Sequence, residues 1–450
     1  MSDATASSNS RSDTDDTADT ADLAVSATSK RIGFDLRAFQ IGHQFRGIGA
    51  VAKAIITELD RRLAPEIGFV GFADPVDAAV TALFDELVTP ARPHPIIEVD
   101  GNTASKIGKV RNVCDPAFEA AVAVHADVLV QFDQLLGVPA EVPSVVVVFD
   151  QIPLLLGDRY PVSYKPTYAG ARRAGISRLT AANKAAARWR HERQLAAALE
   201  RATSVVVISE HTRDTTLEFA RSRGITGVDG KIAVAYLGLD TEAPDEAEAP
   251  DLMEQDLIDG YGLATTPFVF FMGGTDDRRR IQDLVAAFNR LRARGHDLKL
   301  VLAGYDFASV ERVISPMTRA EIVSSSYGDD IHLLGYVGDA MRHWLYHHAA
   351  AYVFPSIAEG FGMPVLEATS LGCPVVAYEN PAVAEVAGPN TLLVEPHWTA
   401  LTEGIVAVLD RSDADRAELA AQGRDWSARF DWDAMGVAMT DAVRRAARLA

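Results

Sequence analysis

The sequence predicts an α/β protein with two domains, each built on a doubly wound parallel sheet. Short apolar runs typical of buried parallel strands alternate along the chain with segments whose apolar residues recur at helical spacing. Such alternation favours parallel sheets covered by helices on both faces. The length of 450 residues exceeds what one hydrophobic core usually supports, and the acidic, alanine-rich residues 241–250 suit a solvated linker between two such units.

The composition excludes several classes of protein. The formal charge of −19 argues against a nucleic-acid binder, and the apolar fraction of 48% is that of an ordinary globular chain. No apolar run approaches the roughly 20 residues that a membrane-spanning helix needs, and no secretory leader pattern opens the sequence. Because Cys114 and Cys373 are the only cysteines, we expect no disulfide framework and a reducing, cytoplasmic location.

The first domain is predicted to follow a disordered tail. Residues 1–30 are rich in Ser, Thr, Asp and Ala and contain few large apolar side chains, so burial cannot offset the entropy of ordering them. A short strand at 31–35, then Gly47 and Gly49, then an amphipathic helix over 50–63 form a strand, glycine turn and helix. Two interpretations of the glycines stay open, a tight turn or a phosphate-binding start.

Strand-like runs then recur at 67–71, 128–131, 144–149 and 204–208. Parallel sheets place ligands beyond the carboxyl ends of their strands, and Asp150 falls at such an end. Asp150 is therefore a candidate catalytic residue. The alternative, a carboxylate that only caps the strand end, stays open.

The domain boundaries follow from the strand at 231–236 and the change in composition after it. We predict, in chain order, a tail over 1–30, a first domain over 31–240, a linker over 241–264, a second domain over 265–428 and a final helical segment over 429–450.

Residues 159–193 reverse the acidic balance of the chain. They are rich in arginine and lysine, and Tyr160, Tyr164, Tyr168 and Trp189 lie among the cations. Such a stretch suits a phosphorylated acceptor or an anionic membrane surface. A solvated helix face is the other interpretation, and both stay open.

The second domain restarts with an apolar strand at 268–272 that runs into a glycine pair ending at Gly274. Arg278 and Arg279 follow at the start of a helix. Backbone beside glycine approaches a ligand closely and guanidinium groups bind phosphate bidentately, so this segment predicts a diphosphate cradle. The acidic pair 276–277 lacks further ligands, and we expect no metal site.

A second strand, glycine loop and helix lie within residues 351–377. The loop carries, in order, Glu359, Gly360, Phe361 and Gly362. Backbone N–H groups at the start of the following helix suit a bound anion, because the helix dipole adds to their attraction. Glu367 lies inside that helix.

The phrase Glu-Gly-Phe-Gly-Met-Pro-Val-Leu-Glu-Ala resembles the Glu-x7-Glu signature of retaining glycosyltransferase family 4, with Glu359 and Glu367 on its two glutamates. The resemblance extends from about residue 31 to the C-terminus and is strongest over 268–396. It implies the GT-B fold, in which two Rossmann-like domains face each other across a cleft. The first would bind the acceptor and the second a nucleotide-activated sugar.

The resemblance also implies how the departing diphosphate is held. Arg278 and Arg279 stand on the arginine and lysine positions of a family motif, although the second is arginine here. Together with Gly274 and the 360–362 amides, they would stabilise the developing negative charge in place of a metal ion.

Further roles are implied for residues around the donor. Glu367 would bind the ribose hydroxyls, and Glu359 would orient the sugar or stabilise positive character at the reacting carbon. Val337 ends a strand similar to the family phrase that lies against the nucleotide base.

In the first domain, the loop with Gly47 and Gly49 is similar to the family loop that lines the cleft. Residues 149–153 resemble the family's His-Asp-Leu-x-Pro segment, but Phe149 replaces the histidine, which leaves Asp150 as the candidate.

These first-domain phrases look most like those of family members that transfer mannose or related sugars in polysaccharide assembly. The resemblance therefore implies GDP-mannose as donor substrate, no separate cofactor, and a glycan or lipid-linked acceptor. Peripheral contact with the inner face of the membrane is part of the same expectation.

Two other functions stay open on the residues alone. A degenerate glycosyltransferase would serve as a binding or scaffold subunit of a glycan-assembly complex, and Phe149 favours that hypothesis. A hydrolase with paired carboxylates is less favoured, because Glu359 and Glu367 lie on one element and would not flank a bond.

Overall fold

The computed structural model of the protein describes residues 30–40, 47–99, 114–133, 137–156, 178–239 and 250–449. The predicted tail before residue 30, most of the basic stretch and the linker residues 241–249 lie outside these ranges. Tyr160, Tyr164 and Tyr168 lie outside them as well.

The first domain contains a seven-stranded sheet in the order β3-β2-β1-β4-β5-β6-β7, and every strand pair in it is parallel. Its strands are β1 (Arg31–Asp35), β2 (Gly68–Ala73), β3 (Ile96–Glu98), β4 (Val128–Gln131), β5 (Ser144–Val148), β6 (Ser204–Val207) and β7 (Ile232–Val234). The helices between them are α1 (Gly47–Arg62), α2 (Ala78–Leu87), α3 (Pro116–His125), α4 (Ile152–Leu155), α5 (Arg178–Arg201) and α6 (Glu210–Ser222).

The valine run of β5 shows why this sheet is covered on both faces. Val145 and Val147 belong to one hydrophobic cluster, whereas Val146 and Val148 belong to another. All four side chains are buried. Since successive side chains of a strand point to opposite faces, a continuous apolar run requires helices on both sides.

The second domain contains a six-stranded parallel sheet in the order β10-β9-β8-β11-β12-β13. Its strands are β8 (Phe268–Met272), β9 (Lys299–Ala303), β10 (Ile331–Gly335), β11 (Ala351–Phe354), β12 (Val375–Tyr378) and β13 (Thr391–Val394). Its helices are α7 (Leu252–Gly260), α8 (Ile281–Ala293), α9 (Pro316–Ser324), α10 (Asp339–His348), α11 (Met363–Ser370), α12 (Pro381–Val386), α13 (Trp398–Leu409) and α14 (Asp413–Ser427).

The last helix, α15 (Trp432–Ala447), packs on the first domain. The Leu239 amide donates to the carbonyl oxygen of Phe430 at 3.0 Å, and the Arg62 guanidinium donates to the carbonyl oxygen of Asp433 at 3.0 Å. The end of the chain therefore ties the two domains together in addition to the linker.

The carboxyl ends of the two sheets face each other across a cleft. Asp150 follows β5 on one side, and the loop that begins after β11 brings Gly360 to the other. A Cβ atom built on Gly360 would lie 2.1 Å from the carbonyl oxygen of Phe149, so the two edges touch there. The predicted GT-B architecture, two parallel-sheet domains around a cleft, is confirmed.

Within the part of the chain that the structure describes, no helix is both long enough and apolar enough to cross a membrane.

Candidate active site

An ion pair between Arg278 and Glu359 lies at the centre of the cleft on the second-domain side. The guanidinium Nη1 contacts Glu359 Oε1, and both side chains are nearly buried, with 11% and 12% of their surfaces exposed. Arg278 Nη1 also donates to the carbonyl oxygen of Ala358 at 2.7 Å, and the amide of Ile357 donates to the carbonyl oxygen of Arg278 at 2.9 Å. The turn after β8 and the loop after β11 are thus joined through both side chain and backbone.

Ser356 holds the carboxylate of this pair in place. Its Oγ donates to Glu359 Oε1 at 2.8 Å, and its own carbonyl oxygen accepts from Asn380 Nδ2 at 2.8 Å. Ser356 is completely buried. This support was not predicted, because nothing local in the sequence shows that the Ser356 hydroxyl turns towards a carboxylate.

Arg279 is the second cation of the site, and it is placed differently. Its Nε lies 3.7 Å from Glu359 Oε1, too far for a hydrogen bond, and its side chain donates no hydrogen bond to any described residue. Burial and the neighbouring Arg278 charge lower its pKa from the ordinary value. A buried guanidinium nitrogen without an acceptor is costly, so this position favours an anion from outside the chain.

Close backbone packing explains the glycines beside Arg279. Gly273 has φ +150°, and a Cβ on it would lie 2.1 Å from Arg279 Nη1. A Cβ on Gly274 would reach Asp306 Oδ2 at 3.3 Å, a contact tighter than side chains normally make. The first glycine is therefore required for the arginine to lie against the strand end.

Burial and the surrounding carboxylates shift the pKa of Arg278 in opposite directions. Burial alone would lower the pKa of its guanidinium, but the carboxylates of Glu359, Asp276 and Asp150 raise it above the ordinary value. Arg278 is thus a fixed cation that several carboxylates share, whereas Arg279 has little compensation of its own.

The glycine loop ends at the N-terminus of α11. Gly362 occupies the N-cap position with φ +113°, a left-handed conformation that favours glycine, and it supplies no side chain to cap the helix. The first N–H groups of α11 therefore have no side-chain acceptor at the N-cap, on the side of the cleft where Arg278 and Glu359 lie.

Gly360 joins this loop to the first domain. Its carbonyl oxygen accepts from Ser209 Oγ at 2.7 Å and from Thr212 Oγ1 at 3.1 Å. Ser209 also caps α6, since its side chain accepts from the Thr212 amide at 3.0 Å. This contact between the first domain and the Gly360 carbonyl was not predicted from the sequence.

Glu385 makes a second contact between the domains. Its carboxylate accepts from the amides of Glu210 at 2.8 Å and His211 at 2.6 Å, so it caps the N-terminus of α6 from the opposite domain. Burial and the Glu385 charge together raise the pKa of Tyr236 to about 12. This contact of Glu385 was not predicted from the sequence.

Asp150 lies on the first-domain side of the same cleft. Its Oδ1 accepts from the Ile152 amide at 3.0 Å. Burial raises the pKa of its carboxyl from the ordinary value, the Arg278 charge opposes that rise, and the charge of Glu359 adds to it. The structure thus brings Asp150 near the ion pair, while its hydrogen bond shows that it also acts as a local cap.

Glu367 occupies a separate position from Glu359. It accepts from the buried Tyr346 hydroxyl at 3.2 Å, and burial together with nearby Tyr352 and Glu367 raises the pKa of Tyr346 well above its ordinary value. The two signature glutamates therefore have different partners, a tyrosine for one and an arginine for the other.

The remaining predicted site residues are less closely connected to the ion pair. Phe361 packs between Tyr236 and Phe430, with ring centroids 6.0 Å from each. Val337 is half-buried against the second-domain core. Gly47 begins α1, with Gly49 buried in its first turn.

Among the described residues, no group of three or more His, Cys, Asp or Glu side chains is arranged to hold a metal ion.

Comparison with known proteins finds similarity to a protein family within the second domain. Residues 255–426 match the family model Glycosyl transferases group 1. The chain is 28% identical over 179 residues to an O-antigen chain mannosyltransferase B of Escherichia coli, covering 39% of this chain and 45% of that protein. It is 28% identical over 244 residues to a GDP-mannose-dependent alpha-(1-6)-phosphatidylinositol monomannoside mannosyltransferase of Mycobacterium tuberculosis, covering 50% of this chain and 60% of that protein.

Solved structures share the whole fold at low sequence identity. A HepE protein of Anabaena, in complex with UDP and glucose, superposes with a TM-score of 0.60 and 16% identity over 92% of this chain and 98% of that one. WaaG, a glycosyltransferase involved in lipopolysaccharide biosynthesis, superposes with a TM-score of 0.57 and 16% identity over 91% and 98%.

The curated relatives are matched only in part. This chain spans less than half the length of the Escherichia coli protein named above and 28% of the length of a serotype-specific mannosyltransferase WbdA of the same organism.

Proposed function

Since the second domain is a glycosyl transferases group 1 domain, we propose that this chain transfers a sugar from a nucleoside diphosphate donor to an acceptor hydroxyl. The observation that carries the proposal is Arg279, whose shielded Nε has no hydrogen-bond acceptor among the described residues. Its guanidinium lies beside Arg278 and Glu359, so the site holds two adjacent cations.

A diphosphate satisfies both needs of this site. Its oxygens accept hydrogen bonds from the N–H groups of Arg279, and its negative charge compensates the positive charge of that guanidinium. The N-terminus of α11 adds the positive end of a helix dipole. Stabilisation of a departing diphosphate then comes from preorganised donors, without a metal ion in the step.

Glu359 and Asp150 are the candidate catalytic residues of this proposal. Glu359 is held by Ser356 and Arg278, so its carboxylate faces a defined position in the cleft. Negative charge there stabilises positive character on the sugar carbon as the bond to phosphate breaks. Asp150 approaches from the acceptor domain. Retention of configuration follows if the acceptor hydroxyl attacks from the leaving-group side and a phosphate oxygen takes its proton.

Glu367 completes the proposed donor site by binding the ribose hydroxyls. Its carboxylate is half-buried and hydrogen-bonded to Tyr346, which restricts its orientation. A ribose diol needs such a fixed acceptor, because each hydroxyl can then donate to one carboxylate oxygen.

GDP-mannose is the donor we propose. Its support comes from the mannosyltransferases among the partial relatives, one of which is named as GDP-mannose-dependent. A structural neighbour was solved with UDP and glucose, so a UDP-sugar is the alternative that the same diphosphate site would accept. The proposed acceptor is a glycan or a lipid-linked glycan.

Calorimetry with GDP and UDP in the presence of EDTA tests the donor site. We expect wild-type protein to bind one nucleotide without metal, and Arg279→Met to weaken binding at least tenfold while leaving the melting temperature unchanged or higher. The matched control is Arg280→Met, because Arg280 belongs to the same turn but has its own partner, Asp283 Oδ1 at 3.0 Å. Equal binding by Arg279→Met and wild type, or binding of neither nucleotide, would overturn the proposal.

A further inference from the structure

A second polar cluster lies at the carboxyl end of β5, next to Asp150 but on the first domain alone. His191, near the middle of α5, reaches Gln151, and its Nε2 lies 3.3 Å from Gln151 Oε1. Both side chains are almost completely buried, with 7% and 2% of their surfaces exposed. Asp133, at the end of β4, is buried beside them and its charge acts on His191.

The amide nitrogen of Gln151 is the unusual atom of this cluster. Among the residues that the structure describes, no group accepts a hydrogen bond from Gln151 Nε2, although the atom is shielded from solvent. Its carboxamide does not cap α4 either, since the helix has no side-chain cap at that position. Buried amides are normally paired, so an unpaired one indicates a missing oxygen acceptor.

His191 fixes the orientation of that amide. Burial lowers the pKa of the imidazole, while the charges of Asp133 and Glu192 oppose that effect, and the net result is a lowered pKa. The neutral ring with its proton on Nε2 donates to Gln151 Oε1, which leaves both N–H bonds of the carboxamide directed elsewhere. The histidine thus orients the glutamine, and the glutamine presents its N–H groups.

The position of Gln151 in the chain connects the cluster to the proposed reaction. Gln151 directly follows Asp150, whose carboxylate is close enough to Arg278 and Glu359 for their charges to shift its pKa. The preceding residue, Phe149, contributes its backbone oxygen to the contact with Gly360 and has no polar side-chain atom. The Gln151 amide is therefore a side-chain donor without an acceptor at the strand end that carries Asp150.

We propose that Gln151 and His191 form an acceptor-binding pair, in which Gln151 Nε2–H donates to a hydroxyl oxygen of the acceptor sugar and His191 holds the amide in that orientation. Gln151 would touch the acceptor, and His191 is a positioning residue that acts through it. The inference rests on the proposed glycosyl transfer and assigns the first-domain side of the cleft to a sugar oxygen.

A purely structural role for the pair predicts different behaviour. If the hydrogen bond only fastened α5 to α4, its loss would destabilise the domain and impair donor and acceptor steps together. If the amide instead binds a ligand, its replacement by an apolar side chain of similar shape removes the unpaired nitrogen and leaves His191 Nε2–H without its acceptor, so stability falls modestly while the donor step is unchanged.

The test measures GDP release from GDP-mannose with methyl α-D-mannoside as acceptor, together with the melting temperature. Gln151→Met is expected to raise the acceptor KM at least tenfold and to leave the donor KM within error of wild type, with a modest decrease in melting temperature from the lost bond to His191. His191→Phe should raise the acceptor KM similarly, and His191→Gln should restore it to within about threefold, because its amide can supply the N–H that Nε2 provides. Glu200→Gln is the control on the same helix, since Glu200 is exposed and its charge acts on Lys231 instead.

The outcomes separate the two proposals. Wild-type protein that releases no GDP, or that releases GDP at a rate independent of the acceptor concentration, would contradict the proposed function. Transfer by wild type with an unchanged acceptor KM in Gln151→Met would overturn the acceptor-binding pair alone. So would a Gln151→Met variant that fails to fold, or parallel losses in donor KM, acceptor KM and stability.

Discussion

At the scale of single residues, the buried ion pair between Arg278 and Glu359 determines what a substitution in this site measures. Each side chain depends on the other for compensation, and both are close to fully buried. Removal of one partner leaves an uncompensated charge in the protein, which is a larger cost than the pair itself contributes. An alanine substitution at either position therefore changes stability as well as chemistry.

We expect Glu359→Ala to lower the free energy of unfolding by about 3–5 kcal/mol, because Arg278 would lose its buried counter-charge. Arg278→Ala should have an effect of similar size, and the double variant should be destabilised by clearly less than the sum. Urea unfolding of wild type, the two single variants and the double variant gives the change in unfolding free energy for each variant. Additive effects of the two single substitutions would show that the residues do not form a coupled pair.

Asp150→Asn is expected to lower activity without lowering stability. The pKa of Asp150 is raised above 3.8, so the folded protein holds its proton more tightly than the unfolded chain. The resulting loss of folding free energy is absent when the pH is below the ordinary pKa. It grows as the pH rises from the ordinary to the raised pKa, and it is fully present above the raised pKa. Asparagine carries no such cost.

The asparagine variant should therefore be at least as stable as wild type at pH 7, with a difference that vanishes as the pH falls towards 3.8. Sugar transfer should fall at least tenfold. Thermal unfolding between pH 4 and pH 8 measures the first effect, and a loss of stability at pH 7 would contradict the assigned pKa direction.

The sequence predicted single site residues well and their pairing poorly. Arg278, Arg279 and Glu359 could be identified as candidates from charge and glycine context. Their arrangement could not, because the turn after β8 and the loop after β11 lie far apart in the chain and meet only when the strands pair. Ser356 was missed for a similar reason, since nothing local shows that its hydroxyl turns towards a carboxylate.

At the scale of elements, the N-terminus of α6 is the clearest case of one domain completing another. Glu385 of α12 accepts two backbone hydrogen bonds there, and Ser209 bonds both its own helix and Gly360. The helix is therefore fully capped only when the domains are together.

Glu385→Ala is expected to cost about 1 kcal/mol of stability through the lost cap and to loosen the domain contact. Limited proteolysis of the folded protein should then be faster between the domains, and the radius of gyration from X-ray scattering should rise. The control is Asp251→Ala, which removes the capping box of α7 inside the second domain without an interdomain bond. Equal changes in both variants would contradict a specific role of Glu385 between the domains.

Strands buried on both faces were the elements that the sequence predicted best. β5, β8 and β11 appear as continuous apolar runs, and the structure has strands at those places. β3 and β13 were not predicted, because β3 has only three residues and both strands are half-buried or exposed without a strong apolar pattern. Edge strands of this kind are set by the sheet they join more than by their own residues.

At the scale of the whole molecule, Gly360 is a place where the backbones of the two domains are in close contact. A side chain there would meet the carbonyl oxygen of Phe149 at 2.1 Å and the Cβ of Asp150 at 3.0 Å. Because backbone atoms cannot move aside as a flexible side chain would, the cleft could no longer close to this distance.

Gly360→Ala is therefore expected to keep each domain folded and to reduce sugar transfer at least tenfold, chiefly through kcat, since donor and acceptor would no longer reach each other. The measurement is steady-state kinetics together with nucleotide affinity, which should change little. Gly260→Ala is the control, because a Cβ on Gly260 meets nothing within 4 Å. Wild-type kcat in Gly360→Ala would show that this closure is not needed.

The sequence predicted the two-domain architecture but not how the domains touch. Alternating apolar runs and the linker composition determine the number and class of sheets. The contacts of Gly360, Glu385 and Phe361 depend on backbone carbonyls, amides and ring packing between distant segments, for which residue types give no pattern. The boundaries predicted at 240, 264 and 428 stay predictions.

Sugar transfer from a nucleoside diphosphate donor is the proposed activity, and it can be measured directly. Wild-type protein should be incubated with a panel of nucleotide sugars and mannoside acceptors in EDTA, and the products should be analysed by mass spectrometry. We predict release of GDP from GDP-mannose with a product heavier by one hexose, loss of that product in Arg279→Met, and its retention in Arg280→Met. Folded wild-type protein that releases nucleotide from no donor in the panel would contradict the account.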